Sequence, residues 1–208
     1  VNSTFSRYSR VRSMTGMTGA EAARRLLNAQ GIYDVTVQPI AGELTDHYDP
    51  RTKTVNLSDP VYNATSVAAL GVAAHECGHA IQHAKSYAPL SIRSALVPIA
   101  NFGSMLAWPV ILIGLLFNTR SSGLIIDIGI LLFSAAVLFQ LVTLPVEFDA
   151  SRRALVMLRT QGILADDELK YTRRVLKSAA LTYVASAAAA ILQLLRIILI
   201  TNGRRRDD

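Results

Sequence analysis

Cysteine occurs once in this chain of 208 residues, at position 77. A single thiol excludes an internal disulfide framework and a cysteine-based zinc finger, both of which need several. Charge is scarce as well. Asp, Glu, Lys and Arg make up 17% of the residues, where about 25% is usual for a soluble protein. With a hydrophobic share of 51%, disorder is excluded for most of the chain, because disorder needs few apolar residues and much charge. The net charge is +6, yet no block of five like charges occurs, and Arg204-Arg205-Arg206 is the one basic triplet. A nucleic-acid partner is therefore not expected. The start has neither an initiator Met nor a signal-peptide pattern, so a processed or shortened beginning is expected.

What the sequence has instead is apolar residues in long runs. Ser94 to Thr119 holds no charged residue. Ser121 to Val146 holds only Asp127, and Ser178 to Gly203 only Arg196. A helix needs about 20 mostly apolar residues to cross a bilayer, and all three segments are long enough. The third is Ala-rich and carries its arginine late, so a buried soluble helix competes with a span there. Residues 1–93 carry nine Lys/Arg and seven Asp/Glu and read as water-facing. The division expected is 1–93 as a water-facing α+β unit, 94–146 as two transmembrane helices and 147–177 as a charged helical segment. A third transmembrane helix at 178–203 and a tail at 204–208 complete it.

Within the first part, Thr18-Gly-Ala-Glu21 fits a capping box that opens a helix ending near Gly31. Tyr33 to Gln38 alternates like a strand. Glu43 to Tyr48 and Thr52 to Leu57 form a candidate hairpin about the turn residues Asp49-Pro-Arg-Thr. From about Pro60 to Lys85 the pattern predicts one helix. Residues 147–177 predict two helices broken near Gly162.

The long helix carries His75-Glu76-Cys77-Gly78-His79, an H-E-x-x-H pattern. At about 100° per residue, His75 and His79 sit on one face, one turn apart. Two imidazoles at that spacing suit one Zn2+, and Glu76 projects beside them as a candidate general base. The apolar flanks keep the histidines from full solvation, and buried histidines need partners. Cys77 points away from that face and reads as a packing residue. A zinc peptidase site takes three protein ligands and one open position. Lys85 stands where a third histidine of the extended pattern would be. Glu147 is the best third ligand: two spans separate it from His79 and return the chain to the same side. Asp149 is the runner-up. His83 is a candidate for substrate contact or for support of the ligands, while His47, on the hairpin, reads as structural. His83, Arg152, Tyr171 and Tyr183 are all open as oxyanion stabilisers.

The stretches TGAEAARRLL, LTDHYDPRTKTVNLS, VYNATSVAALGVAAHECGHAIQH and LPVEFDASRRAL resemble the bacterial neutral zinc metallopeptidases of YugP type, and the resemblance covers nearly the whole chain. Members typically begin with a further hydrophobic segment. More distantly the chain is similar to HtpX-like membrane proteases and CAAX prenyl proteases, which carry E-x-x-A-D after the spans with the first Glu as zinc ligand. The same places here are Glu147, Ala150 and Ser151. Serine in place of aspartate puts in doubt the carboxylate that would orient a ligand, and Ser151 joins the candidates for support of the site.

The expectation is a mainly α protein with membrane helices and a small α+β zincin-like unit carrying the motif. Its function is that of a membrane-embedded zinc endopeptidase: metal ligands His75, His79 and Glu147, catalytic base Glu76, and Zn2+ as cofactor. His83, Asp149, Ser151 and Arg152 stand around that site. Expected partners are a peptide or membrane-protein substrate, the lipid bilayer, and a second copy or a regulatory membrane protein. The alternative is a non-catalytic zinc-binding membrane protein, a sensor or transporter component, which would not need Glu76. The bacterial inner (plasma) membrane is the expected location. The catalytic face is expected to be cytoplasmic, because residues 1–93 and 147–177 hold most of the Lys and Arg.

Overall fold

The computed structural model describes residues 2–116 and 122–207, and side chains up to 201. The turn at 118–122 with Arg120 thus lies outside the described residues except for its last position, as do the side chains of Arg204, Arg205 and Arg206. The chain is mainly helical, with one three-stranded sheet. It divides into two compact units, Val1–Tyr87 with Val146–Thr182, and Ala88–Pro145 with Tyr183–Asp208.

The first unit opens with α1 (Asn2–Tyr8) and α2 (Gly19–Ala29). The Thr18 hydroxyl accepts from the Glu21 N–H, and the Glu21 carboxylate accepts from the Thr18 N–H, so the capping box is complete. The buried face of α2, Ala20, Ala23, Leu26 and Leu27, joins the core. β1 (Thr36–Ile40), β2 (His47–Asp49) and β3 (Thr54–Ser58) follow. β3 is central, antiparallel to β2 and parallel to β1. Its Val55 and Leu57 are fully buried. Pro39, which cannot donate to a ladder, lies on β1 at the edge of the sheet. The hairpin agrees with expectation. The strand expected at 33–38 starts three residues later, and of the run 43–48 only its end is strand.

The helix expected over 60–85 is two: α3 (Asp59–Tyr62) and α4 (Val67–Ala84). Ser66 divides them. Its backbone is extended, and its hydroxyl accepts from the Ala69 N–H at 3.1 Å, so it caps α4 and stops continuation from α3. α4 is buried on nearly every side, from Val67 to Gln82.

α5 (Ala88–Leu116), α6 (Ser122–Thr160) and α7 (Asp166–Asp207) are each long and apolar enough over part of their length to cross a membrane. The break near Gly162 is present, with Gly162 at φ +61 between α6 and α7. The two helices expected in 147–177 are, however, the continuations of α6 and α7 across the change in charge, not separate elements. α6 runs through the change in charge without a break, with Pro145 inside it. Glu168 fixes the start of α7: its carboxylate accepts from the Ala165 N–H and from the Met14 N–H, at 2.9 and 2.7 Å.

In the second unit, the helices meet through small residues. A Cβ on Gly103 would come within 2.5 Å of the Leu132 carbonyl, and one on Gly129 would collide with Ile111. Arg196 lines a cavity of about 210 Å3 together with Trp108, Gln193 and Thr201.

Candidate metal centre

α4 presents His75 and His79 on one face, and the part of α6 beyond Pro145 lies against it. Gly78 makes the close approach feasible. A Cβ there would stand 2.7 Å from the Ala150 carbonyl oxygen, so any larger residue would push the two helices apart. The approach brings Glu147 to the histidines across 72 residues of sequence.

Three potential ligand atoms converge. His75 Nε2 is 3.2 Å from Glu147 Oε2, His79 Nε2 is 3.6 Å from the same oxygen, and the two Nε2 atoms are 3.2 Å apart. The side chains are 15%, 12% and 4% exposed. Among the described residues this is the one cluster of three or more such side chains with ligand atoms within 4.8 Å of one another.

The hydrogen bonds behind the cluster decide what it can accept. Gln82 is fully buried. Its Nε2 donates to the Val146 carbonyl at 2.8 Å and to Asp149 Oδ2 at 3.0 Å. Both are acceptors, so the amide orientation is fixed and Oε1 faces His79 Nδ1 at 3.0 Å. His79 Nδ1 must then carry the proton, which leaves Nε2 with a lone pair directed into the cluster. His75 Nδ1 is 3.2 Å from Ser151 Oγ, which leaves its Nε2 free in the same direction. Two lone pairs and a carboxylate oxygen facing one another repel unless a cation or a proton lies between them. The donor set of two imidazoles and one carboxylate suits Zn2+ with an open fourth position, so the residues present fit the metal.

The charges around His79 point the same way. Burial disfavours a charge on His79. The hydrogen bond to Glu147 and the negative charges of Glu76 and Glu147 outweigh it, and the pKa lies above the ordinary histidine value. Glu76 is 7% exposed and has no hydrogen-bond or ion-pair partner among the described residues. Its carboxylate oxygens are not sealed from solvent, so the group stays within reach of a water, as a general base has to be.

The remaining sequence candidates separate clearly. Asp149 is not in the cluster. It accepts from Gln82, from Arg152 at 2.6 Å and from Arg153. It therefore ties the back of the His79 support to two cations. Ser151 does supply a partner for His75, with a hydroxyl where a carboxylate was expected to be missed. Arg152 is 74% exposed in its side chain and is held by Asp149. His83 is exposed, and its Nδ1 lies 2.8 Å from the Tyr48 hydroxyl of β2. His47 bonds to the Thr45 carbonyl and to Asn56 within the hairpin. Tyr171 stacks on Tyr8 at 5.3 Å, and Tyr183 belongs to the second unit. Cys77 is fully buried beside the Ala23 carbonyl, and burial together with the Glu76 charge pushes its thiol pKa far up. Such a thiol is inert. Gln82 and Tyr48 were not singled out in the sequence. For Gln82 the available signal was its position: three residues after His79, it lies on the same face of α4.

The family described as "Putative neutral zinc metallopeptidase" matches residues 1–202. The chain is 48% identical over 205 residues to a protein of Bacillus subtilis (strain 168) called "Putative membrane protease YugP", an alignment covering 98% of this chain and 90% of the other. No solved structure matches. With three potential ligand side chains clustered and three membrane-length helices in place, this chain belongs to that neutral zinc metallopeptidase family.

Proposed function

We propose that the protein is a membrane-embedded zinc-dependent endopeptidase in which His75, His79 and Glu147 hold one Zn2+ and Glu76 is the general base. The observation that supports this most strongly is the pairing of a cluster of three potential ligands with a carboxylate on the adjoining residue that has no hydrogen-bond or ion-pair partner among the described residues. Zinc bound there would act as a Lewis acid, lowering the pKa of a water and polarising the scissile carbonyl. Glu76 takes the proton as the water oxygen bonds to the carbonyl carbon. It holds that proton until the carbon–nitrogen bond breaks, and then gives it to the leaving amine. Gln82 and Ser151 keep both imidazoles turned to the metal, the usual task of hydrogen bonds behind metal ligands. Asp149, with Arg152 and Arg153, holds Gln82 in turn. His83 and Tyr48, joined to each other, are the side chains we assign to substrate contact. β2 is an edge of the sheet and can receive an extended peptide as an added strand.

The test is Glu76→Gln in the full-length protein. It keeps one zinc per chain by elemental analysis and lowers peptide hydrolysis by about 100- to 10,000-fold. Unchanged hydrolysis with zinc retained would favour the non-catalytic zinc-binding alternative.

The site faces the cytoplasm on this reading, because residues 1–93 and 147–177 hold nine and seven Lys/Arg and basic residues near membrane ends stay inside. Asp167→Cys should resist an impermeant maleimide in intact cells and react after permeabilisation. The buried Cys77 adds little background. Labelling from outside would place the site on the external face.

A further inference from the structure

α7 begins with a basic face. Lys170, Arg173, Arg174 and Lys177 fall at i, i+3, i+4 and i+7, so they share one side of the helix. All four are exposed. With Arg159 from the last turn of α6, they line a groove of about 640 Å3 whose remaining walls include Leu155 and Leu169. Asp166 is the acid of this lining, and Arg159 occupies it at 3.0 Å. Arg174 donates to the neutral Tyr8 hydroxyl. Among the described residues, Lys170, Arg173 and Lys177 have no carboxylate partner. A second hollow of about 430 Å3 shares Arg174 and Lys177, adds Arg7, and extends to Ser178 and Leu181. Lys177 directly precedes the charge-free run from Ser178 to Leu195.

Like charges four residues apart on a helix repel. Lys170 with Arg174 and Arg173 with Lys177 are two such pairs, and an anion in the groove would relieve both. The groove also carries apolar walls and borders the apolar part of its own helix. A ligand that satisfies both features has an anionic head and a hydrocarbon body. We propose that this groove binds the headgroup of an anionic phospholipid, with the acyl chains directed along α7 past Leu181. An acidic peptide would match the charge but not the apolar continuation.

The experiment uses the full-length protein in nanodiscs of phosphatidylcholine with and without phosphatidylglycerol, with bound lipid measured by native mass spectrometry after release into neutral detergent. The wild type should retain phosphatidylglycerol in preference to phosphatidylcholine. The triple variant Lys170→Gln, Arg173→Gln, Lys177→Gln should bind it on the order of 100-fold more weakly, at roughly a factor of five per cation near a membrane surface. A control with the same loss of charge elsewhere, Arg10→Gln, Arg51→Gln, Lys85→Gln, should stay within about twofold of the wild type. Thermal unfolding of each variant identifies a failure to fold; if the triple variant is unfolded, Arg173→Gln alone should still give a measurable fall. No preference in the wild type, equal retention in the folded triple variant, or equal loss in the control overturns the proposal. So does displacement of the lipid by millimolar inorganic phosphate or by a glutamate-rich peptide, which would make the groove a site for a free anion or for a peptide.

Discussion

The leucines of the two units face opposite ways. In the unit that carries the histidines, Leu26, Leu57, Leu70 and Leu158 are fully buried. In the other, Leu112, Leu131 and Leu192 are 50%, 72% and 66% exposed, and Phe102 is 63% exposed. The polar groups reverse as well. The first unit buries Glu76, Gln82, Glu147 and Asp149, and most of these are matched by partners. In the second, hydroxyls fold back onto their own helix: Ser134 donates to the Ile130 carbonyl and Thr143 to the Phe139 carbonyl, both at 2.8 Å. One alphabet is being read against two solvents. Water drives apolar side chains inward and supplies the energy of a core. Hydrocarbon gives no such drive, so helices there associate through close backbone approach at small residues, as at Gly103 and Gly129. The candidate metal centre lies in the unit whose buried polar groups form a network.

If the first unit depends on matched burial of polar groups, removing a proposed ligand from its centre should have the largest effect of any single change. Glu147→Ala should leave a protein that does not retain zinc through dialysis. Asp149→Ala disturbs only the support of Gln82, and should weaken zinc by about 10- to 100-fold. Competition with a coloured chelator measures both. The reverse order would mean that Asp149 is the ligand, and that the cluster of His75, His79 and Glu147 is held together by ordinary hydrogen bonds.

The contrast between units also explains what was readable in the residues. H-E-x-x-H fixes its own geometry, because i and i+4 share a helix face whatever the fold. The apolar runs declare themselves by length, and the capping box of Thr18 and Glu21 is local. The hairpin is local too, which is why β2 and β3 were found while the parallel pairing of β1 with β3 was not. Ser66 is a cap that stood in the sequence before an apolar run, but the helical pattern continues on both sides of it and concealed the break. The charge change at Glu147 suggested a new element. α6 passes through it because a helix responds to backbone groups and caps, not to the solvent its side chains meet. Gln82 was hidden for another reason. Its role depends on acceptors at Val146 and Asp149, over 60 residues away, and no local pattern encodes that.

A smaller change tests whether helix proximity, rather than side-chain identity, sets the zinc geometry. Gly78→Ala leaves every ligand in place but puts a methyl 2.7 Å from the Ala150 carbonyl. The neighbour is backbone and cannot rotate away, so α6 must shift. Overpacking of this kind costs about 1–3 kcal/mol, and the shift moves Glu147 relative to His75. Lower thermal stability together with weaker zinc binding is expected, measured by unfolding in the presence of excess zinc and by chelator competition. Unaltered zinc affinity in a destabilised protein would show that the site tolerates helix displacement.

The smallest effect is expected on the outward face of the second unit. Leu131 is 72% exposed and lies in the apolar part of α6. In water, an exposed leucine of that kind would join others in an adhesive patch. In a bilayer, its side chain meets acyl chains both when the helices are packed and when they are apart, so truncation removes little from the difference between the two states. Leu131→Ala should therefore change stability by less than about 0.5 kcal/mol, in the range of surface substitutions. The same truncation costs about 2–5 kcal/mol in a buried core. Unfolding in mixed micelles, with zinc retention as a second readout, gives the number. A loss of core magnitude would mean that this face of α6 is covered in the working protein, by a second copy or by another membrane helix, and that the unit is not lipid-facing at Leu131.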